Sequence, residues 1–259
     1  MRKVIQKLKE KVYKLIYPHA GPFYCPVCDT QHVAMNPLSP GFFEQLQKNG
    51  YVHNIFSVET LNIAHYSCAK CEASDRDRLY ALYLKNYLQQ KDKISLLDIA
   101  PAPALRNFIK SSAKVSYRSM DLYMEGVDDR VDITDMKIYK EGQFDFFICS
   151  HVLEHIPDDR KAMKELYRIL KPGGSSIIMV PLNLDEKETR EDPSQTDISY
   201  RWKYFGQDDH VRSYSKNDFI ARLESAGFKV NQLGIDYFGK EVFAKSAILP
   251  TSVLYIGNK

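Results

Sequence analysis

Two cysteine pairs, Cys25-Pro-Val-Cys28 and Cys68-Ala-Lys-Cys71, carry the most specific chemistry in this chain. Each Cys-x-x-Cys knuckle offers two thiolates to one ion. Four thiolates in a tetrahedron make the closed shell of a structural zinc site, which leaves no position for catalysis. The 39 residues between the knuckles exceed the usual zinc-finger spacing, so the insert has to fold around the site. The alternatives are two unrelated thiol pairs or a redox Cys-x-x-Cys. His32, His53 and His65 are possible replacements for a cysteine, but with four cysteines at hand the plainer expectation is surface or core histidines. The fifth cysteine, Cys149, lies in an apolar run. The grouping fits a metal in a reducing compartment better than a disulfide framework.

A second set is acidic. Asp98 ends the apolar run "ISLLDIA", Asp121 ends "KVSYRSM" 23 residues later, and Asp132 sits in "DRVDIT". Ligands of open parallel sheets bind in the crevice beyond the carboxyl ends of the strands. A carboxylate there grips a vicinal diol through two hydrogen bonds and suits a cationic neighbour. Strand-end aspartates also cap turns. Three in order favour the ligand reading.

The elements that position these groups follow from pattern. From Ile94 onward apolar strands alternate with helices, which predicts a parallel sheet wrapped by helices. "FDFFICS", "SSIIMVP", "FKVNQLGI" and "SVLYIGN" are the later strands. "SDRDRLYALYLKNYLQQ" is a helix capped by Ser74. "DDRKAMKELYRILKPGG" runs from an acidic first turn to a glycine stop, with Ala162, Leu166, Ile169 and Leu170 inward. "YSKNDFIARLESAGF" repeats this grammar with Ser215, Asp218 and Gly227.

The 259 residues suffice for one large α/β domain and a small appendage, and the composition, 44% hydrophobic and 27% charged, is that of an ordinary soluble protein. A net charge of +3 does not argue for nucleic acid. No apolar run reaches the roughly 18 residues of a membrane span, and no signal peptide is visible, so the expected location is cytoplasmic. Residues 1–17 place apolar residues at helical spacing among lysines. Such a helix either lies on the inner membrane surface or packs on this chain or a second subunit, and packing is the favoured reading.

From about Ser95 to Gly174 the chain resembles class I S-adenosylmethionine-dependent methyltransferases, through "LLDIA", "SMDLY", "DIT", "FDFFICSHVLEHIPDD" and "ELYRILKPGG". The knuckles before "DRLYALYL", with "FGQDDHVRSYS" later, resemble bacterial methyltransferases found with surface-glycan synthesis genes. The resemblance implies an α/β, Rossmann-like fold: a mainly parallel seven-stranded sheet with helices on both faces, behind a small zinc-ribbon-like module. The implied division is 1–20 basic helix, 21–73 zinc module and 74–259 methyltransferase domain. It also implies cofactor contacts: Asp98 by the methionine end, Asp121 with Leu122 on the ribose, Asp132 with Ile133 by the adenine, and Ser150 and His151 lining the pocket.

One departure stands out. The family usually has glycines after the first acid, where this chain has Ala100, Ala102 and Ala104. Alanine is comfortable only at negative φ, so a left-handed loop is not expected here. Pro101 and Pro103 remove two N–H donors, although Pro103 suits the first turn of a helix. Ala100 and Pro101 are therefore read as a stiff cofactor loop whose contact with the methionine tail is rearranged, with Arg106 as the carboxylate's partner. A weakened or lost cofactor site is the competing reading.

Methyl transfer to a hydroxyl needs alignment and a base. His210 and His155 are the candidate bases, with a capping or packing role the favoured reading for His155. Tyr200, Arg201, Trp202 and Arg212 mix charge with flat faces and suit a sugar or phosphorylated acceptor, or else anchor a solvated loop. The leading expectation is O-methylation of a glycan or other small molecule. RNA methylation lacks the dense basic stripe it needs. A non-catalytic zinc adaptor draws on the glycine-less loop, and a NAD enzyme lacks the glycines a pyrophosphate requires.

Overall fold

The computed structural model describes residues 21–259. The basic stretch 1–17, with its membrane and packing readings, lies outside the described residues. No helix among the described residues is long and apolar enough to cross a membrane.

The knuckle segment opens with a two-stranded antiparallel ribbon, β1 (Phe23–Cys25) and β2 (Thr30–His32). Helix α1 (Pro40–Lys48) occupies the insert. Helix α2 (Asp75–Gln89) follows the second knuckle. Its capping box is complete: Ser74 Oγ accepts from the Asp77 amide at 3.2 Å, and Asp77 accepts from the Ser74 amide at 2.9 Å.

The large sheet contains β3 (Ile94–Ile99), β4 (Val115–Asp121), β5 (Asp129–Arg130), β6 (Phe144–Ser150), β7 (Leu170–Met179), β10 (Lys229–Leu233) and β11 (Leu254–Asn258). Their order is β10-β11-β7-β6-β3-β4-β5. Pairs from β5 across to β7 are parallel, and β11 runs antiparallel to both neighbours. This is the expected mainly parallel seven-stranded sheet with helices on both faces. Strands β3 and β6 are apolar runs because both their faces are covered; Leu96, Leu97, Phe146 and Phe147 are fully buried. Since β3 leads to β4 on one side and adjoins β6 on the other, the crevice opens at its carboxyl end, beside Asp98.

Helix α3 (Pro103–Lys110) starts on its proline, as expected, and α4 (Asp159–Ile169) is capped by Asp158. Ala162, Leu166, Ile169 and Leu170 are inward. The glycine stop after α4 is corrected. The helix ends at Ile169 and strand β7 begins at once, with Gly173 and Gly174 inside it. Phe144 pairs with Leu170 and Phe146 with Ser175, so residues 171–174 bulge from the ladder. A Cβ on Gly174 would meet Leu170 and the Lys171 carbonyl at 2.8 Å. The glycines therefore serve the bulge.

The remaining elements are the two-residue strands β8 (Arg190–Glu191) and β9 (Arg212–Ser213), α5 (Ile198–Phe205), α6 (Lys216–Ser225), α7 (Ile235–Phe238) and α8 (Lys240–Lys245). Ser215 caps α6 as expected. The knuckle segment is stitched to the sheet domain. Arg78, fully buried, donates to the carbonyls of His65, Tyr66 and Ala73 on the knuckle side and of Ser246 and Ala247 after α8, at 2.7–3.1 Å.

Candidate functional site

The four sulfurs converge. Cys25 Sγ lies 3.7 Å from Cys71 Sγ, Cys28 Sγ lies 3.8 Å from Cys68 Sγ, and all four are within 4.8 Å of one another. Tetrahedral thiolates about 2.3 Å from a zinc ion sit about 3.8 Å apart, so donor type and spacing both fit zinc. His32 Nε2 is 3.3 Å from Cys68 Sγ, beside the cluster. His53 pairs instead with Glu186 at 2.8 Å, and the His65 ring packs at a tilt against Phe23.

Two cavities meet at the carboxyl ends of β3, β4 and β6. The smaller, about 380 Å³, is lined by Asp98, Arg76, Asp77, Tyr80, Ser150 and, from the second knuckle, Cys71, among others. The larger, about 670 Å³, is lined by Asp121, Leu122, Asp132, Ile133, His155 and Asp209, among others. Ile99, Ala100 and His151 belong to the walls of both. Strand geometry explains this convergence, because parallel strands all deliver their carboxyl ends to one edge.

Asp98 is 2% exposed and accepts from the Tyr117 hydroxyl at 2.9 Å. Burial pushes its carboxyl up to about 7. Asp121 accepts from the amides of Tyr123 and Met124 at 2.7 Å, both on Oδ1. Ser150 shares a 2.8 Å hydrogen bond with Tyr80. His151 Nε2 accepts from Arg76, and its Nδ1 lies 3.2 Å from Glu154. Burial first, then the Arg76 guanidinium, lowers the His151 imidazole to about 4, so it is neutral near pH 7.

The glycine-less loop does what its sequence seemed to forbid. Ala100 is left-handed at φ +53°, and His151 matches it at +56°. The expectation of a loop restricted to negative φ is therefore corrected. The turn from β3 into α3 requires that conformation, and alanine adopts it at a cost of about 1–2 kcal/mol. Pro101 is buried and lines neither cavity, whereas Ala102 and Pro103 line the smaller one. Arg106 points away and donates to the Gly126 carbonyl at 3.0 Å.

The substrate quartet is not brought to these cavities. Trp202 sits against Phe42 of α1, Tyr200 against Tyr204, and Arg201 donates to the Gln195 and Asp208 carbonyls. Arg212 is 1% exposed, and its guanidinium is spent on the carbonyls of Leu153, Ile156 and Pro157 and on Glu191. It holds the turn that carries Glu154 and His155. His210 is also buried, and its Nδ1 is 3.0 Å from the Phe205 carbonyl. Of the two candidate bases, His155 lines a cavity and His210 stands behind it.

Sequence reasoning missed Arg76 and Glu154. Arg76 lies in the first turn of α2 beside Arg78, and nothing in "DRDR" tells which arginine faces the crevice.

A methyltransferase-domain family model matches residues 73–233. The chain belongs to the methyltransferase-domain family. Its expected Rossmann-like fold is thus matched by both topology and family. The domain is similar to the ubiquinone biosynthesis O-methyltransferase of Xanthomonas oryzae pv. oryzae, 29% identical over 89 residues, which are 33% of each chain. It is similar also to phosphoethanolamine N-methyltransferase 2 of Caenorhabditis elegans, 38% identical over 58 residues, 21% of this chain and 13% of that one. The matched stretch spans about a third or less of these relatives' length. A solved S-adenosylmethionine-dependent methyltransferase from Archaeoglobus fulgidus is 14% identical, with a TM-score of 0.46 over 71% of this chain and 94% of that one.

Proposed function

We propose that the chain is an S-adenosylmethionine-dependent methyltransferase acting on an oxygen of a glycan or other small molecule. One observation carries the reading: the two cavities joined at Ala100 and His151 sort their polar groups as the two ends of this cofactor would require. Asp98 and Arg76 border the smaller cavity, offering an anion to an α-ammonium group and a guanidinium to an α-carboxylate. Asp121 borders the larger one, where a carboxylate with a free oxygen suits ribose hydroxyls, and Ile133 gives an apolar wall for a base.

The cofactor, when bound, supplies a methyl group on a sulfonium, open to in-line displacement. The protein's task is alignment. The residues of the larger cavity would hold the acceptor in line and take up its hydroxyl proton. His155 is the titratable side chain of the predicted pair that meets the cavity. Asp121, Asp132, Asp158 and Asp209 all line it, which disfavours a polyanionic acceptor such as RNA. Residues 21–73 are proposed as a zinc module that walls the smaller cavity through Cys71 and Glu72, and 74–259 as the methyltransferase domain.

Calorimetric titration with S-adenosylhomocysteine tests the reading. We expect saturable heat at one site per chain, and a binding-silent protein would leave the adaptor reading standing.

A further inference from the structure

Behind the wall of the larger cavity, three side chains present lone pairs to one another. Glu154 is fully buried, and His155 Nε2 and His210 Nε2 each lie 4.0 Å from its Oε1. All three donor atoms fall within 4.8 Å of one another. Glu154 Oε2 and His210 Nε2 are buried without a hydrogen-bond partner among the described residues, while Glu154 Oε1 faces His151 Nδ1 at 3.2 Å. Orphaned buried acceptors are costly, and several aimed at one point form a ready-made seat for a cation.

The far sides of the rings fix their orientation. His155 Nδ1 is 3.2 Å from Asp209 Oδ2, and His210 Nδ1 is 3.0 Å from the Phe205 carbonyl. Each Nδ1 therefore carries its proton toward an acceptor, leaving both Nε2 lone pairs facing Glu154. Metal-ligating histidines are held in this way by a carboxylate or carbonyl behind them. Arg212 fixes the same turn from below through the Leu153 and Ile156 carbonyls.

We propose that Glu154, His155 and His210 bind a divalent metal ion of the borderline class, distinct from the cysteine cluster. Two imidazoles and a carboxylate suit manganese, iron, cobalt or zinc better than magnesium or calcium. His155 and Asp209 line the larger cavity, so the ion would lie one side chain behind its wall. Its role toward the acceptor rests on the methyltransferase reading: the ion binds the acceptor oxygen and lowers its hydroxyl pKa, and water takes the released proton. His155 then acts through the ion rather than as a base.

The test uses full-length protein with zinc already at the cysteines, titrated with Mn²⁺ and followed by the loss of the free-ion electron paramagnetic resonance signal. One Mn²⁺ per chain is expected. Glu154→Gln and His155→Ala should each weaken it at least tenfold, with an unchanged far-ultraviolet circular dichroism spectrum in both variants as the check on folding. Failure of the wild type to take up Mn²⁺ at millimolar concentration, or uptake unchanged in both variants, overturns the proposal. Mn²⁺ uptake without any cofactor heat would sustain the metal site and sink the methyltransferase reading. The opposite pattern would do the reverse.

Discussion

Ala100 and His151 are both left-handed, at φ +53° and +56°, and both belong to the walls of both cavities. Two non-glycine residues held in this region at one seam is the pattern of strain stored at a working site.

Ala100→Gly tests that strain directly. An ordinary alanine-to-glycine change costs about 0.5–1 kcal/mol in chain entropy. Here relief of the left-handed penalty, about 1–2 kcal/mol, offsets it, so stability should hold or rise by up to about 1 kcal/mol. Denaturant unfolding measures this. A loss of a full kcal/mol would mean that Ala100 is unstrained.

Asp98 couples the site to pH. Its carboxyl sits at about 7 in the folded protein against 3.8 ordinarily, raised by burial. The folded state therefore keeps a proton that the unfolded chain releases. That contribution to stability is complete below about pH 4 and is lost as pH rises through 7. Asp98→Asn should thus raise the melting temperature at pH 8, by at most about 4 kcal/mol of stability, and have little effect at pH 4. Cofactor affinity runs the other way. The ammonium needs the ionised form, so affinity should fall about tenfold per unit as pH drops below 7. Melting curves and calorimetry across pH 5–9 check both signs.

Arg76 makes the tail of the ligand separable from its nucleoside. Loss of a charged hydrogen bond costs about 1.5–3 kcal/mol, so Arg76→Gln should weaken S-adenosylhomocysteine roughly ten- to hundredfold. Adenosine, which lacks the amino acid, should bind as before. Equal losses for both would place Arg76 in a purely architectural role.

The cysteine cluster predicts one zinc per chain by elemental analysis, removed in Cys68→Ser. Because Cys71 and Glu72 line the smaller cavity, stripping the metal should lower both thermal stability and S-adenosylhomocysteine affinity. A metal-free protein with unchanged melting and binding would refute the module.

What the sequence determined was local. The Ser74–Asp77 and Ser215–Asp218 caps, the apolar β3 and β6, the helix start at Pro103 and the order of Asp98, Asp121 and Asp132 are set by neighbours a few residues apart, through periodicity and short-range hydrogen bonds. The tertiary structure decided where the long polar side chains went. Arg76 and Arg78 are two positions apart on one helix, about 200° around it, so the pattern sends them to opposite sides without saying which. Packing placed one in the crevice and gave the other five carbonyls between the knuckle and the C-terminal segment. Arg212 and His210, which read as loop residues open to a substrate, were drawn inside because the turn at 153–157 left carbonyls that Arg212 satisfies and the Phe205 carbonyl holds the His210 ring. Ala100 took a conformation its own side chain disfavours because the strand-to-helix turn is fixed at both ends by a packed sheet. A residue's own preference is worth about 1 kcal/mol, and the surrounding core outweighs it.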